Sequence, residues 1–297
     1  MSFADLPLPL RRWCVGEVTV TRIDEAEHRL PIDQFIPAAD ADVRRRHAGR
    51  LSAAQLDDAG TMTLVIGAFV IESRGRRILV DTCVGPEHQH GDPASPFLRR
   101  LAEAGFPPES IDVVVCTHVH FDHVGWNTRL VDGERVPTFP RAQYVFGEQE
   151  WNAVRDADLS TSLLASVERD VTWVIGAGRA TLAAADHRLT DEVSLLPTFG
   201  HSPGHVSVLI RSAGQQAVIT GDAAHHPLQL LQAELATVAD GDAAQAVTSR
   251  LALIDRAVDT GAILFGTHFA EPSAVRIRAD GDGLALEPVE PTVAGHA

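Results

Sequence analysis

The chain has little of what would place it in an oxidising compartment or a membrane. Its 297 residues hold three cysteines, Cys14, Cys83 and Cys116, an odd number without the dense spacing of a disulfide framework. Two of the three lie in apolar, strand-like segments, so buried free thiols are expected. The longest apolar runs, residues 112–116 and 261–265, are strand-length and fall far short of the roughly 20 residues a membrane helix needs. Residues 1–12 show no basic segment followed by a long apolar stretch and a small-residue cleavage site, so no secretory signal is expected and the cytoplasm is the default. Positive charge is also scarce. With 25 Lys and Arg against 40 Asp and Glu, the net charge of −15 disfavours nucleic acid and anionic membrane surfaces as partners.

A hydrophobic share of 45% and a charged share of 22% suit an ordinary globular protein with a sizeable core. Residues 1–60 read as a strand, from Val15 to Ile23, and a polar extension or flap that is partly helical around residues 40–56. The main domain is expected over residues 61–287, with a loose tail at 288–297. Within it, strands at 62–73 and 77–81 flank a tight Arg74-Gly75-Arg76 turn and should form a hairpin. A helix over 96–104 leads to the continuous apolar run 111–116, the mark of a strand covered on both faces. Further strands are expected near 143–146, 193–198, 205–211, 216–220 and 262–265, with helices at 148–155, more weakly over 156–172, and at 243–260. A strand pair should close around 280–283. Strand groups with helices in both halves fit a layered α/β sandwich, sheets inside and helices outside.

Polar residues break the apolar pattern abruptly at strand ends. Thr117-His118-Val119-His120-Phe121-Asp122-His123 packs three imidazoles and a carboxylate into six residues directly after a buried strand. Uncompensated polar groups at such a density serve no packing purpose. In an extended stretch His118 and His120 point the same way and can share one cation, while the following turn can aim Asp122 and His123 at a second. Later strand ends supply His201 in Phe199-Gly200-His201-Ser202-Pro203-Gly204-His205, Asp222 in Thr220-Gly221-Asp222, and His268 in Phe265-Gly266-Thr267-His268.

This ordered set resembles the metallo-β-lactamase superfamily, whose H-x-H-x-D-H motif is matched by His118, His120, Asp122 and His123 and whose later ligands match His201, Asp222 and His268. The resemblance covers roughly residues 62–269. It implies a four-layer αβ/βα sandwich and two metal ions, zinc foremost, with manganese, iron or cobalt as alternatives. It further implies that His118, His120 and His201 hold the first metal, that Asp122, His123 and His268 hold the second, and that Asp222 bridges them. Two dications about 3.5–4 Å apart deprotonate a shared water near neutral pH, which makes it the nucleophile. The phrases around His201 and His268 look most like acyl-homoserine-lactone lactonases, the quorum-quenching enzymes, and the related methyl-parathion-type hydrolases.

Asp81 matches the aspartate of the family's early strand-end motif and is expected to orient a ligand histidine. Two places on, the family usually has glycine and this chain has Cys83, a departure read as minor because the backbone there need not take a positive φ. His205 is expected behind the ligands as a hydrogen-bonding residue. At the position of His225 several lactonases carry a tyrosine that reaches the substrate; here His225 and Asp122 are the catalytic candidates, and His226 is expected to be solvent-exposed. The one tyrosine, Tyr144, is read as core. Phe121, Trp126, Phe146, Trp151 and Phe269 could wall an apolar pocket, which favours an uncharged or acyl-bearing substrate.

The leading expectation is hydrolysis of a lactone or other carboxylic ester. Phosphotriester hydrolysis is the nearest alternative, and a non-catalytic metal-binding sensor or assembly module the alternative of a different class. The partner is a small-molecule ester or lactone, with no nucleic acid and no membrane, and a homodimer is left open.

Overall fold

Thirteen consecutive residues, Thr61–Ser73, alternate β-branched, aromatic and small side chains and form a strand buried along most of its length. In the computed structural model, which describes residues 10–88, 94–155, 157, 161–281 and 283–292, this is β3. The absence of a signal over residues 1–9, residues 156 and 158–160 of the weak helix, Asp282 in the C-terminal turn and the tail beyond residue 292 lie outside the described residues. Before β3 come β1 (Arg11–Val15) and β2 (Val18–Pro31), and after it β4 (Arg76–Val80) and β5 (Val113–Cys116). A small hairpin, β6 (Thr128–Val131) and β7 (Glu134–Pro137), precedes β8 (Gln143–Gly147) and β9 (Ala180–Ala183). The larger sheet runs β1-β2-β3-β4-β5-β8-β9. Arg74 (φ 53°) and Gly75 (φ 76°) supply the two left-handed residues of the β3–β4 turn, and the pairing of Ser73 with Arg76 sets the register.

The second sheet is β10 (Val193–Pro197), β11 (Val206–Ser212), β12 (Gln215–Ile219), β13 (Ile263–Phe265), β14 (Ala274–Asp280) and β15 (Gly283–Pro288), paired in that order. Both sheets hold parallel neighbours. β4, β5 and β8 run parallel in the first, and β12 and β13 in the second. Strands that run parallel end on one edge, so residues that follow β4 and β5 emerge together, as do those that follow β12 and β13.

The chain resolves into two compact units. One combines Ile66–Ala185 with the residues up to Ala26, the other Glu27–Val65 with Asp186–Glu290. The core of the first joins Val70, Leu79, Phe97, Val114 and Tyr144 to Phe146, Trp126 and Trp151. The second unit has two apolar clusters. Leu209, Val218, Leu253, Leu264 and Phe269 form one, and Ile32, Ile36, Val43, Met62, Leu228 and Leu235 the other. The helical part of the 40–56 segment is Ala41–Arg46, capped by the Asp40 carboxylate, which accepts from the amides of Asp42 and Val43. It stops because the stripe of apolar residues gives out after Val43. The helix Ala243–Thr260 appears with its expected bounds, started by the Asp242 side chain on Gln245 N–H and ended by Gly261 at φ 65°. All three cysteines are free thiols, with Cys83 and Cys116 buried and Cys14 exposed. Among the described residues no helix is long and apolar enough to cross a membrane.

One backbone crossing fixes the loops of the first unit. Thr82 N–H donates to His123 O at 2.9 Å, Gly125 N–H to Cys83 O at 2.8 Å and Trp126 N–H to Thr82 O at 3.0 Å. Glycine is obligatory here, since a Cβ on Gly125 would lie 1.8 Å from Val84 O. Cys83 takes φ 53°, so the position that usually holds glycine does need a positive φ, and the reading of that departure as minor is corrected. A side chain there costs about 1–2 kcal/mol relative to a right-handed conformation. Buried Glu25 braces the same crossing, accepting from Val84 N–H at 2.8 Å, Ser95 Oγ at 2.6 Å and Trp126 Nε1 at 2.7 Å.

Two alanine substitutions should therefore act in opposite directions. Gly125→Ala should lose at least about 1–3 kcal/mol of unfolding free energy through overpacking. Gly176→Ala, on an exposed helical turn with nothing within 4 Å of the added carbon, should gain about 0.4–1 kcal/mol. Urea unfolding of both variants checks this, and equal stabilities would refute the crossing as a constraint.

Candidate metal centre

The loop after β4 begins at Asp81, and the loop after β5 at Thr117. Asp81 N–H donates to Val115 O at 2.8 Å, and its carboxylate, buried, accepts from Thr117 N–H at 2.8 Å. Asp81 Oδ2 lies 2.9 Å from His123 Nδ1, while Thr117 Oγ1 lies 3.0 Å from that same oxygen and 3.1 Å from His118 Nδ1. A relay in which His118 Nδ1–H donates to Thr117 Oγ1 and the hydroxyl donates to Asp81 satisfies every partner. The rings of His118 and His120 are 4.5 Å apart, and those of His118 and His123 4.1 Å. His123 Nε2 is 3.7 Å from Asp122 Oδ2. The first unit thus gathers His118, His120, Asp122 and His123 within a few ångströms.

The second unit builds a cluster of its own around one carboxylate. Asp222 follows β12, and three imidazoles meet it through Nε2: His201 at 3.2 Å, His225 at 3.0 Å and His268 at 3.0 Å. The far nitrogens of His201 and His268 are held too. His268 Nδ1 lies 2.7 Å from Val65 O, and since a carbonyl only accepts, the proton sits on Nδ1 and the Nε2 lone pair is left for other use. His201 Nδ1 lies 3.2 Å from Asp240 Oδ1. His205 is buried behind the carboxylate, its Nδ1 donating to Thr198 O at 3.0 Å and its Nε2 accepting Asp222 N–H at 2.8 Å. Gly200, at φ 128°, lets the His201 turn press onto the long helix, where a Cβ would lie 2.1 Å from Ala246 N.

The donors are chemically suited to a transition metal such as zinc: imidazoles and carboxylates, with the rings of His118, His123, His201 and His268 fixed by a hydrogen bond through Nδ1. His201 and His268, whose Nδ1 atoms face acceptors, both turn Nε2 onto one buried carboxylate, a costly arrangement without a cation and the physical reason for reading them with Asp222 as candidate ligands.

Other expectations change. His226 is buried rather than exposed, with Nε2 3.1 Å from Gln55 O and Nδ1 accepting Leu228 N–H at 3.1 Å. Four of the five proposed pocket aromatics are core: Trp126, Phe146 and Trp151 in the first unit and Phe269 in the second, all under a tenth exposed. Strand and loop aromatics fill interiors because burial rewards their area. Phe121 alone keeps exposure, stacked on His88 with ring centroids 4.3 Å apart. The residues that sequence reasoning missed are Asp240 and Arg250. A signal existed only in hindsight, because one acidic residue in a polar loop and one arginine within a helix ordinarily read as solvated.

Burial holds His225 below the usual histidine range, with Asp222 pulling it back in part. His226, fully buried, drops to about 4. The neutral His226 ring is what the fold requires, so its contribution is intact above the unfolded value near 6.5 and is lost as pH falls towards 4. Between pH 7 and pH 5 the metal-free parent should therefore lose about 2 kcal/mol more unfolding free energy than His226→Gln. Denaturant titrations of both proteins at the two pH values test this, and parallel pH dependence would contradict it.

The comparisons with known proteins follow the same lines. The family model described as the metallo-β-lactamase superfamily matches residues 64–268. An N-acyl homoserine lactonase of Bacillus cereus is 24% identical over 174 residues, 53% of this chain and 62% of that protein. One from a Bacillus species is 28% identical over 112 residues, 38% of each. The matches thus span less than two thirds of either relative. Two solved structures share the fold at a TM-score of 0.78. AidC, a dizinc quorum-quenching lactonase in complex with a product N-hexanoyl-homoserine, is 17% identical, with 96% of this chain and 98% of AidC covered. The hydrolase AbOPH of the β-lactamase superfamily is 22% identical, with 97% and 100% covered.

Proposed function

On the premise that the chain belongs to the metallo-β-lactamase superfamily and is a metal-dependent hydrolase of that fold, we propose that it is a dinuclear enzyme acting on a lactone or other carboxylic ester, with acyl-homoserine lactones as the substrate class. The observation that carries the metal reading is the convergence of three imidazole Nε2 atoms on the buried Asp222 carboxylate. In this proposal His118, His120 and His201 hold one ion, Asp122, His123 and His268 the other, and Asp222 is shared. Zinc suits the nitrogen and oxygen donors. Such a pair, when bound, supplies a nucleophilic hydroxide near neutral pH and a Lewis acid for the carbonyl oxygen.

The protein's own residues supply order. Asp81 fixes His123 directly and His118 through Thr117, Val65 O fixes His268, and His205 holds the amide of Asp222. His225 is assigned a further role as a general acid: with Nε2 3.0 Å from Asp222 Oδ2, Nδ1 is the atom that faces the substrate, and it donates to the leaving oxygen when the ring carries both protons. Among the described residues its Nδ1 has no hydrogen-bond partner, and burial lowers its pKa while Asp222 raises it in part. The lactone class is supported by the relatives, two of which are N-acyl homoserine lactonases.

A panel of lactones, aryl esters and phosphotriesters, assayed on metal-reconstituted protein with and without chelator, tests the reading. Lactone turnover that chelator abolishes and zinc, manganese or cobalt restores is expected. Faster turnover of phosphotriesters would reassign the substrate class, and metal binding without any turnover would leave a sensor or assembly module. His225→Phe should lower kcat about 10²-fold or more on lactones, whose alkoxide leaving group needs a donor, while sparing activated aryl esters. Equal losses on both would contradict the assigned role.

A further inference from the structure

The Asp240 side chain is fully buried, and its two oxygens face different partners. Oδ1 lies 3.2 Å from His201 Nδ1. Oδ2 accepts Thr237 N–H at 2.9 Å and lies 3.6 Å from Arg250 Nη2. Arg250, on the inner face of the helix Ala243–Thr260, is itself fully buried. Its Nε donates to Ala223 O at 2.8 Å, directly after Asp222, and its Nη1 to Ala233 O at 2.7 Å and Leu235 O at 3.0 Å. A buried guanidinium is retained only where its charge is compensated: here Nε and Nη1 donate to three carbonyls, one of them in the loop that carries Asp222, and Nη2 forms an ion pair with the carboxylate that holds His201. The same helix grips the His201 turn: Ser249 Oγ donates to Phe199 O at 2.6 Å and Asp242 N–H to Gly200 O at 2.8 Å.

We propose that Asp240 and Arg250 are positioning residues for the metal centre. Asp240 keeps the proton of His201 on Nδ1 so that Nε2 is the coordinating nitrogen, and Arg250 locks that carboxylate to the Asp222 loop so that the two side chains keep their spacing. The proposal rests on the reading of His201 and Asp222 as metal ligands. An isosteric exchange exposes the mechanism. In Asp240→Asn the amide oxygen must take the Oδ2 place, because Thr237 N–H and the guanidinium there are donors. The amide NH₂ then faces His201 Nδ1, which must become an acceptor, so the proton moves to Nε2, the nitrogen the metal needs. Loss of such an orienting partner weakens metal binding about 10–100-fold.

The test is a zinc titration of the metal-free full chain against a competing chromogenic chelator, with far-UV circular dichroism as a check on the fold. Asp240→Asn should bind one ion about 10–100-fold more weakly with its spectrum unchanged. Arg250→Lys, which keeps a cation but cannot hold all three carbonyls, should show a smaller loss, and Asp255→Asn on the exposed face of the same helix none. Long-range ¹H–¹⁵N NMR of the zinc-loaded parent should find the His201 proton on Nδ1, a result that decides the tautomer even if Asp240→Asn does not fold. Coordination of His201 through Nδ1, or parent-like zinc affinity in Asp240→Asn, would overturn the proposal while leaving the metal centre intact. Parent-like affinity in Arg250→Lys would remove Arg250 from it. A parent that binds no zinc would end the metal-centre reading and this proposal together.

Discussion

An imidazole has two nitrogens, and fixing one decides what the other can do. That constraint organises the candidate centre. His118, His123, His201 and His268 each have Nδ1 engaged, by Thr117, Asp81, Asp240 and Val65 O respectively. Each ring is thereby oriented through Nδ1, and in the proposed centre Nε2 is the coordinating nitrogen. Pre-orientation of this kind replaces the entropy that mobile side chains would lose on binding.

The folds of the two units exist, in this light, to present those rings. Parallel strand pairs deliver the residues after β4 and β5, and those after β12 and β13, to one edge of each sheet. The Thr82–Trp126 crossing, closed by Gly125 and braced by Glu25, holds the H-x-H-x-D-H loop. In the second unit the long helix does the corresponding job, with Gly200 pressed against its first turn and Arg250 reaching the carbonyl after Asp222. Cys83, left-handed at φ 53°, is a local strain that the crossing over-determines.

Most strands and the long helix were legible because apolar periodicity and turn residues agree along them, as in residues 61–80 and 243–260. The candidate ligands were legible as a cluster because chemistry that packing cannot use stands out at the end of a buried strand. What escaped was burial of the ambiguous residues. Nothing local separates a buried His226 from an exposed one, since the carbonyl of Gln55 that receives its proton is 171 positions away. Trp126 and Phe269 lie beside ligand segments in the chain yet point into the interiors of their units, a distinction that depends on how a loop turns. Asp240 and Arg250 were invisible for the same reason, their partners being brought to them only by the tertiary fold. The positive φ at Cys83 was concealed because a non-glycine residue carries no sequence mark of a left-handed backbone.

The central claim is that the two ligand groups hold a pair of metal ions. Anomalous diffraction from crystals of zinc-reconstituted protein, recorded just above the zinc absorption edge, tests it most directly. The account predicts two anomalous peaks per chain, one ligated by His118, His120 and His201 and the other by Asp122, His123 and His268, with Asp222 touching both. A single peak, or peaks away from these residues, would contradict it.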